Sequence, residues 1–311
     1  MWNFNFYYMA KKQKAETESI AVRQRYVSIL TNGGFKAFFG DKKNKVAVID
    51  ILNTLLPPHR QVADIEYLPT EYQGQTEGNK EFRYDFMCRD SKGVSFIVEA
   101  QHYKETDWFR RCVSYASRMY DLGNEKGEGY DIPPVYLIGL MGVELEHEDM
   151  GLWRDRYISE YTFREKLTHE LLDETIFIIF AELARFNKEA EECVSELDRM
   201  LYVLKNSDRL DNPAGWLKNP VYARILKAFE ISKFSKTKRI QYNKDMYDER
   251  RRKGELKAAR QDGLEAGFAR GKEEGRHEER LLMATNMKQQ GLPIEIIGKI
   301  TGLSVKTIAD L

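Results

Sequence analysis

The sequence predicts an α/β fold with a helical extension at its C-terminal end, and three stretches carry that prediction. Residues 81–101 alternate apolar and polar side chains over two segments joined by a short turn. Residues 106–122 repeat apolar side chains at helical spacing, and residues 132–141 form a largely apolar run. Period two marks a strand, a period near 3.6 marks an amphipathic helix, and a short apolar run fits a strand covered on both faces. Strands interleaved with helices place the chain in the α/β class.

In order along the chain, residues 1–20 are expected to form a loosely ordered N-terminal segment, and residues 11–31 are polar and expected to be loosely held. Residues 1–8 are aromatic and uncharged, without the basic start and cleavage site of a signal peptide. Met9-Ala10-Lys11-Lys12 reads as the more natural beginning. A helix is expected over 44–56, where Val46, Val48, Ile49, Leu52, Leu55 and Leu56 recur at helical spacing until Pro57-Pro58 stops it. A strand is expected over 61–69. Glu71 follows it, ahead of a loop over 72–79.

The central hairpin is the most informative stretch. Phe82, Tyr84, Phe86, Cys88, Val94, Phe96, Val98 and Ala100 define an apolar face; Arg83, Asp85, Arg89, Ser95, Glu99 and Gln101 define a polar one. Ser91-Lys92-Gly93 fits a three-residue turn in which glycine supplies a positive φ. If Asp90 pairs with Val94, then Asp85 lies opposite Glu99, with Gln101 beside them. Cross-strand partners share a face about 5 Å apart, so the two carboxylates repel unless something offsets their charge. A hard divalent cation would do so; so would water, if the face is simply exposed.

A helix is expected over 106–122, capped by Thr106 and begun with Asp107. Trp108, Phe109, Cys112, Val113, Ala116, Met119 and Tyr120 form its buried stripe, and Arg111, Tyr115 and Arg118 a second stripe beside it. A Gly-rich charged loop over 123–129 leads to strands over 132–141, 157–163 and 175–180. Helices follow over 188–205, 221–231 and from 236 onward. Residues 247–285 read as a charged helical linker in which Gly263, Gly267, Gly271 and Gly275 recur every fourth position. That spacing fits either a solvated helix, weakened by about 1 kcal/mol per glycine, or close pairing of helices from two chains. Residues 286–311 read as a helix-turn-helix-like tail around Thr301-Gly302-Leu303, with Ser304 capping the second helix. Only Lys306 brings positive charge to that helix start, so a packing or dimer-forming role stands beside a DNA-reading one.

An Asp ending one strand and Glu-x-Gln ending the next, here Asp85 and Glu99-Ala100-Gln101, resemble the motif of the PD-(D/E)XK nuclease superfamily. Within it the chain is most similar to the PD-(D/E)XK nuclease family transposases, relatives of the recombination-promoting nucleases. The segments Gly34-Phe35-Lys36-Ala37-Phe38-Phe39-Gly40, Ile65-Glu66-Tyr67-Leu68-Pro69-Thr70-Glu71 and Glu182-Leu183-Ala184-Arg185-Phe186 match as well. The resemblance covers most of residues 20–310. It implies a restriction-endonuclease-like core, a mixed sheet flanked by helices, over residues 21–246. It departs from the common pattern at Gln101, where a Lys is usual, and at Asn32-Gly33, where an Asp is frequent.

The resemblance also implies chemistry. Asp85, Glu99 and the carbonyl of Ala100 would hold Mg²⁺, with Mn²⁺ as a substitute. Gln101 would orient water, and Glu71 would serve as a third acidic ligand or base. Gln brings no positive charge, which Lys104, Lys80 or Arg83 would have to supply. Arg111, Tyr115 and Arg118 would contact DNA phosphates. The function implied is a metal-dependent DNA endonuclease associated with recombination or transposition. The alternative is a catalytically weakened nuclease fold serving as a DNA-binding or assembly module.

Composition narrows the other classes. In 311 residues, 49 Lys and Arg balance 49 Asp and Glu, so any DNA contact depends on a local patch. Cys88, Cys112 and Cys193 are few and scattered, which points to a reducing, cytoplasmic setting without a zinc cluster. No apolar run is long enough for a membrane span. The five histidines lack metal-ligand spacing, and His102 is expected to be structural, on the face opposite the carboxylates. Gly-x-Ser-x-Gly and Walker A sequences are absent. The expected partners are DNA and a second copy of the chain, bound through the C-terminal helical segment.

Overall fold

The computed structural model describes residues 25–72, 82–123, 131–210 and 215–311. The N-terminal segment 1–20, the start at Met9, Lys80, and the loop residues 73–79 and 124–129 lie outside these. Two compact units are present, one ending at Glu249 and one spanning Arg250–Leu311.

The first unit is built on a six-stranded mixed sheet in the order β1-β4-β5-β6-β8-β7. The strands are β1 (Ile65–Tyr67), β4 (Phe86–Asp90), β5 (Ser95–Gln101), β6 (Val135–Met141), β7 (Ile158–Tyr161) and β8 (Ile176–Ala181). Strands β5, β6 and β8 run parallel; β1, β4 and β7 pair antiparallel with their neighbours. A separate ribbon joins β2 (Glu71–Tyr72) to β3 (Phe82–Arg83).

Helices cover both faces of the sheet. One face packs α1 (Asn32–Phe39), α2 (Lys45–Leu55), α5 (Glu196–Asn206) and α6 (Pro220–Phe229) against Phe86, Phe96, Val98, Ile138 and Ile179. The other packs α3 (Trp108–Leu122) against Met87, Ile97, Leu137, Ile178 and Phe180. A short helix, α4 (Met150–Trp153), precedes β7. Covering both faces overturns the expected polar face of the hairpin: Ser95, Glu99 and Gln101 are all buried, at 3–4% exposure.

The turn of the hairpin forms as its residues require. Gly93 has φ +84°. Asp90 N–H donates to Val94 O at 2.9 Å, and Gly93 N–H donates to Asp90 O at 3.1 Å. The strand leading into it is not continuous, however. Tyr84 N–H donates to Thr70 O at 2.8 Å, drawing the chain toward the β2–β3 ribbon. Tyr84 therefore packs with Met87, Ile97 and α3, on the face opposite Phe86, Phe96 and Val98, rather than with them as the alternation predicts.

Other departures have similar causes. Residues 25–31 are not loosely held: Tyr26, Val27 and Ile29 are buried, and Val27 is tied to Phe229 O and Ser207 Oγ. Helix α1 has no counterpart among the sequence expectations; Thr31 caps it by accepting from Gly34 N–H. Helix α3 begins at Trp108 with Asp107, not Thr106, at its N-cap. Its buried stripe is Trp108, Cys112, Ala116 and Met119, while Phe109 and Val113 are half exposed because the sheet meets only one narrow line of the helix. The helix expected over 188–205 is shorter, starting at Glu196 behind a Ser195–Asp198 capping box.

Helix α7 (Lys236–Gln289) begins within the first unit, where Tyr242 is buried, and continues through the boundary. Its glycine-spaced part is helical, and residues 250–280 are all exposed. The second unit ends with α8 (Ile294–Thr301) and α9 (Val305–Ala309). Gly302 turns between them at φ +71°, and Ser304 caps α9 through Thr307 N–H. Ala284, Ile297 and Ile308 form the small core there.

Candidate active site

The β4–β5 register pairs Phe86 with Val98 and Met87 with Ile97, which carries Asp85 to a place opposite Glu99. Asp85 precedes β4 at the break made by Tyr84, so the backbone bonds of the ladder are replaced there by bonds to carboxylates. Asp85 N–H donates to Glu99 Oε1 at 3.0 Å, and Ala100 N–H donates to Asp85 Oδ2 at 3.1 Å. Asp85 Oδ1 and Glu99 Oε2 accept from no donor among the described residues.

Burial shapes the electrostatics. Glu99 is 4% exposed. It faces the α3 side beside Gly139, its parallel partner on β6. Loss of water pushes the Glu99 carboxyl well above its usual range, and the Asp85 charge pushes it further. Asp85 is raised too, chiefly by desolvation, against the pull of Ala100 N–H, His102, Lys36 and Arg111. His102 and Lys36, the latter from α1, are thus part of the electrostatic setting of Asp85. Sequence spacing gives no hint of Lys36, which lies far away in the chain.

Gln101 is 3% exposed and held at both ends. Its amide N–H donates to Tyr103 O, and its Oε1 accepts from Arg111 Nη2 at 3.2 Å. Arg111 also pairs with Glu105 at 2.7 Å and lies over the Trp108 ring, 4.8 Å from its centroid. One turn on, Tyr115 donates to Arg83 O at 2.9 Å and packs against Tyr84 at 4.7 Å. Arg118, one turn further, pairs with Asp121 at 3.0 Å. Lys104 pairs with Glu146, and Arg83 is exposed on β3.

Glu71 lies exposed on β2, paired through the backbone with Arg83. Among the described residues no group of three His, Cys, Asp or Glu side chains could hold a metal ion. The donor set here is therefore two carboxylates and a carbonyl. The peptide of Ala100 points its N–H toward Asp85, and in a strand the C=O of the same residue points to the same edge. Hard oxygen donors of this kind fit Mg²⁺ or Mn²⁺.

The family model of the PD-(D/E)XK nuclease family transposases matches residues 30–259, well over half of the chain. The chain belongs to that family. No curated protein and no solved structure matches it. The mixed six-stranded sheet flanked by helices, followed by the long α7, has the restriction-endonuclease-like architecture of PD-(D/E)XK enzymes. Membership ties the chain to nuclease or transposase-related work on DNA. Among the described residues no helix is long and apolar enough to cross a membrane.

Proposed function

We propose that this PD-(D/E)XK protein is a metal-dependent DNA endonuclease that serves recombination or transposition. The observation that carries the reading is the coupling of Asp85 and Glu99 where β4 begins and β5 ends, each with one carboxylate oxygen on a backbone amide of the other segment. Asp85, Glu99 and the Ala100 carbonyl would hold Mg²⁺ or Mn²⁺. When bound, the ion polarises a phosphoryl oxygen and lowers the pKa of a water. The chain's own part is to hold its carboxylates in place through the Asp85 and Ala100 amides and to keep water from the buried side of Glu99. In the reaction a water oxygen bonds to phosphorus as the bond to the leaving sugar oxygen breaks; the water's proton is released and the leaving oxygen takes one up. Glu71, on the neighbouring ribbon, would act on the water only when DNA binding brings it near. Tyr115 and Arg118 would contact phosphates along the α3 face.

A second reading keeps the fold and gives up the chemistry, leaving a DNA-binding or assembly module; Gln101, in place of the usual Lys, is what favours it. In either case two copies would associate through the exposed glycine edge of α7, which sedimentation equilibrium checks. Cleavage of plasmid and branched DNA across Mg²⁺ and Mn²⁺ concentrations separates the readings. Wild-type protein should cleave and Asp85→Ala should fall to background. If wild type binds no divalent ion and cleaves no better than Asp85→Ala, the module reading replaces the nuclease.

A further inference from the structure

We propose that Arg111 is a catalytic residue of this site: its guanidinium, held in place by Gln101, supplies the positive charge that the Gln cannot bring to the scissile phosphate. The inference rests on the nuclease reading above and adds the identity of the cation.

The geometry assigns the two side chains complementary parts. Gln101 is buried with both ends of its amide engaged, the nitrogen on Tyr103 O and Oε1 on Arg111. It therefore acts as a positioning residue for Arg111. Arg111 reaches it from α3, ten residues further along the chain, because Trp108 seats the first turn of that helix on the sheet. Gly139 makes this close approach feasible: a Cβ there would stand 2.7 Å from Phe180 Cδ1 and 3.3 Å from Trp108 Cζ2. The Trp108 ring under the guanidinium and Glu105 on Nη1 fix two sides of Arg111. Its Nε is buried without a hydrogen-bond partner among the described residues. The Nη1 and Nη2 atoms each use one N–H in these contacts and keep another.

Glu105 does not cancel this charge. The pair is about one-third to two-fifths exposed, where ion pairs contribute little and an arriving phosphate competes well. A guanidinium's planar fork matches a phosphate's oxygens. Charge built up on those oxygens during the displacement is where a fixed cation acts most strongly. Lys104 and Arg118 pair with Glu146 and Asp121; among the described residues the cation bonded to Gln101 is Arg111.

Single-turnover cleavage with the protein in saturating excess over DNA and Mg²⁺ present, together with DNA affinity by anisotropy with Ca²⁺ in its place, tests the inference on the full chain. The variants are Arg111→Gln, Arg111→Lys, Gln101→Lys and the double variant Arg111→Gln/Gln101→Lys, each checked for folding by thermal melt. Arg111→Gln should slow the cleavage step about 100-fold or more, with affinity changed less than about threefold. Arg111→Lys keeps the charge and should lose less. The double variant, with an ammonium in the usual place, should recover at least about tenfold over Arg111→Gln. Unchanged cleavage rate with weakened affinity would make Arg111 a plain phosphate contact and overturn the proposal. A lost rate that Gln101→Lys does not restore overturns it too, since the defect is then not one of charge. In both of those cases wild type still cleaves and the nuclease reading stands. If wild type binds DNA but never cleaves it, both fall together.

Discussion

At the residue scale, the site turns on one buried acid. Glu99 has a folded-state pKa above the ordinary Glu value of 4.5 because it has lost water and faces Asp85. In metal-free protein the folded state therefore holds its proton more tightly than the unfolded state does. The sign follows from linkage: this contribution is fully present below pH 4.5 and is lost as pH rises through the folded pKa. Asp85, raised in the same direction, adds to the effect. Thermal melts in EDTA should show stability falling over that interval, and Glu99→Gln should flatten the fall and melt higher at neutral pH. A bound divalent ion favours the ionised pair, so Mg²⁺ should reverse the trend and stabilise wild type by mass action. Glu99→Gln should lose both that stabilisation and cleavage while remaining folded. A Glu99→Gln protein that Mg²⁺ still stabilises would show the ion to be held elsewhere.

At the element scale, the hairpin shows what could be read in advance. The Ser91-Lys92-Gly93 turn set the register, and the register set Asp85 opposite Glu99; both depend on local rules of turn length and period two. The break at Tyr84 was not legible, because it depends on a backbone bond to Thr70, outside the hairpin. Nor was the burial of Glu99 and Gln101, since alternation cannot tell a solvated polar face from one covered by a helix. The partnership of Gln101 with Arg111 was hidden for the same reason: it is made by how α3 lies on β6 and β8. That placement makes a prediction. Gly139 faces Trp108 and Phe180, and a methyl group there overlaps the Phe180 ring and crowds that of Trp108. Gly139→Ala should cost about 1–3 kcal/mol, as overpacking does, and should lower cleavage beyond the loss of folded protein by shifting Arg111. Denaturant melts beside cleavage rates corrected for folded fraction check this; an unchanged stability would mean that α3 is free to move away from the sheet.

For the whole molecule, the sequence places a change of character near Tyr247, and contacts divide the chain after Glu249. The reason is visible along α7. Tyr242 is buried and Met246 packs against the large core, whereas residues 250–280 are exposed on every side. Leu256, Leu264 and Phe268 lie in that exposed stretch, so they add nothing to the first unit's core. The second unit's core is the separate cluster of Ala284, Ile297 and Ile308. Because folding stability is drawn from buried apolar contacts, an element without them can be removed at little cost. A chain ending at Glu249 should therefore remain soluble, keep the near-UV signal of its packed aromatic core, and unfold in one cooperative transition. Its melting temperature should lie within about 2–4 °C of the corresponding transition in the full chain, equivalent to about 1 kcal/mol at most. The carboxylates and Arg111 all lie within this fragment, so single-turnover cleavage by it measures what the C-terminal unit adds to DNA handling. Insoluble or molten protein would show that residues beyond Glu249 complete the first unit's core.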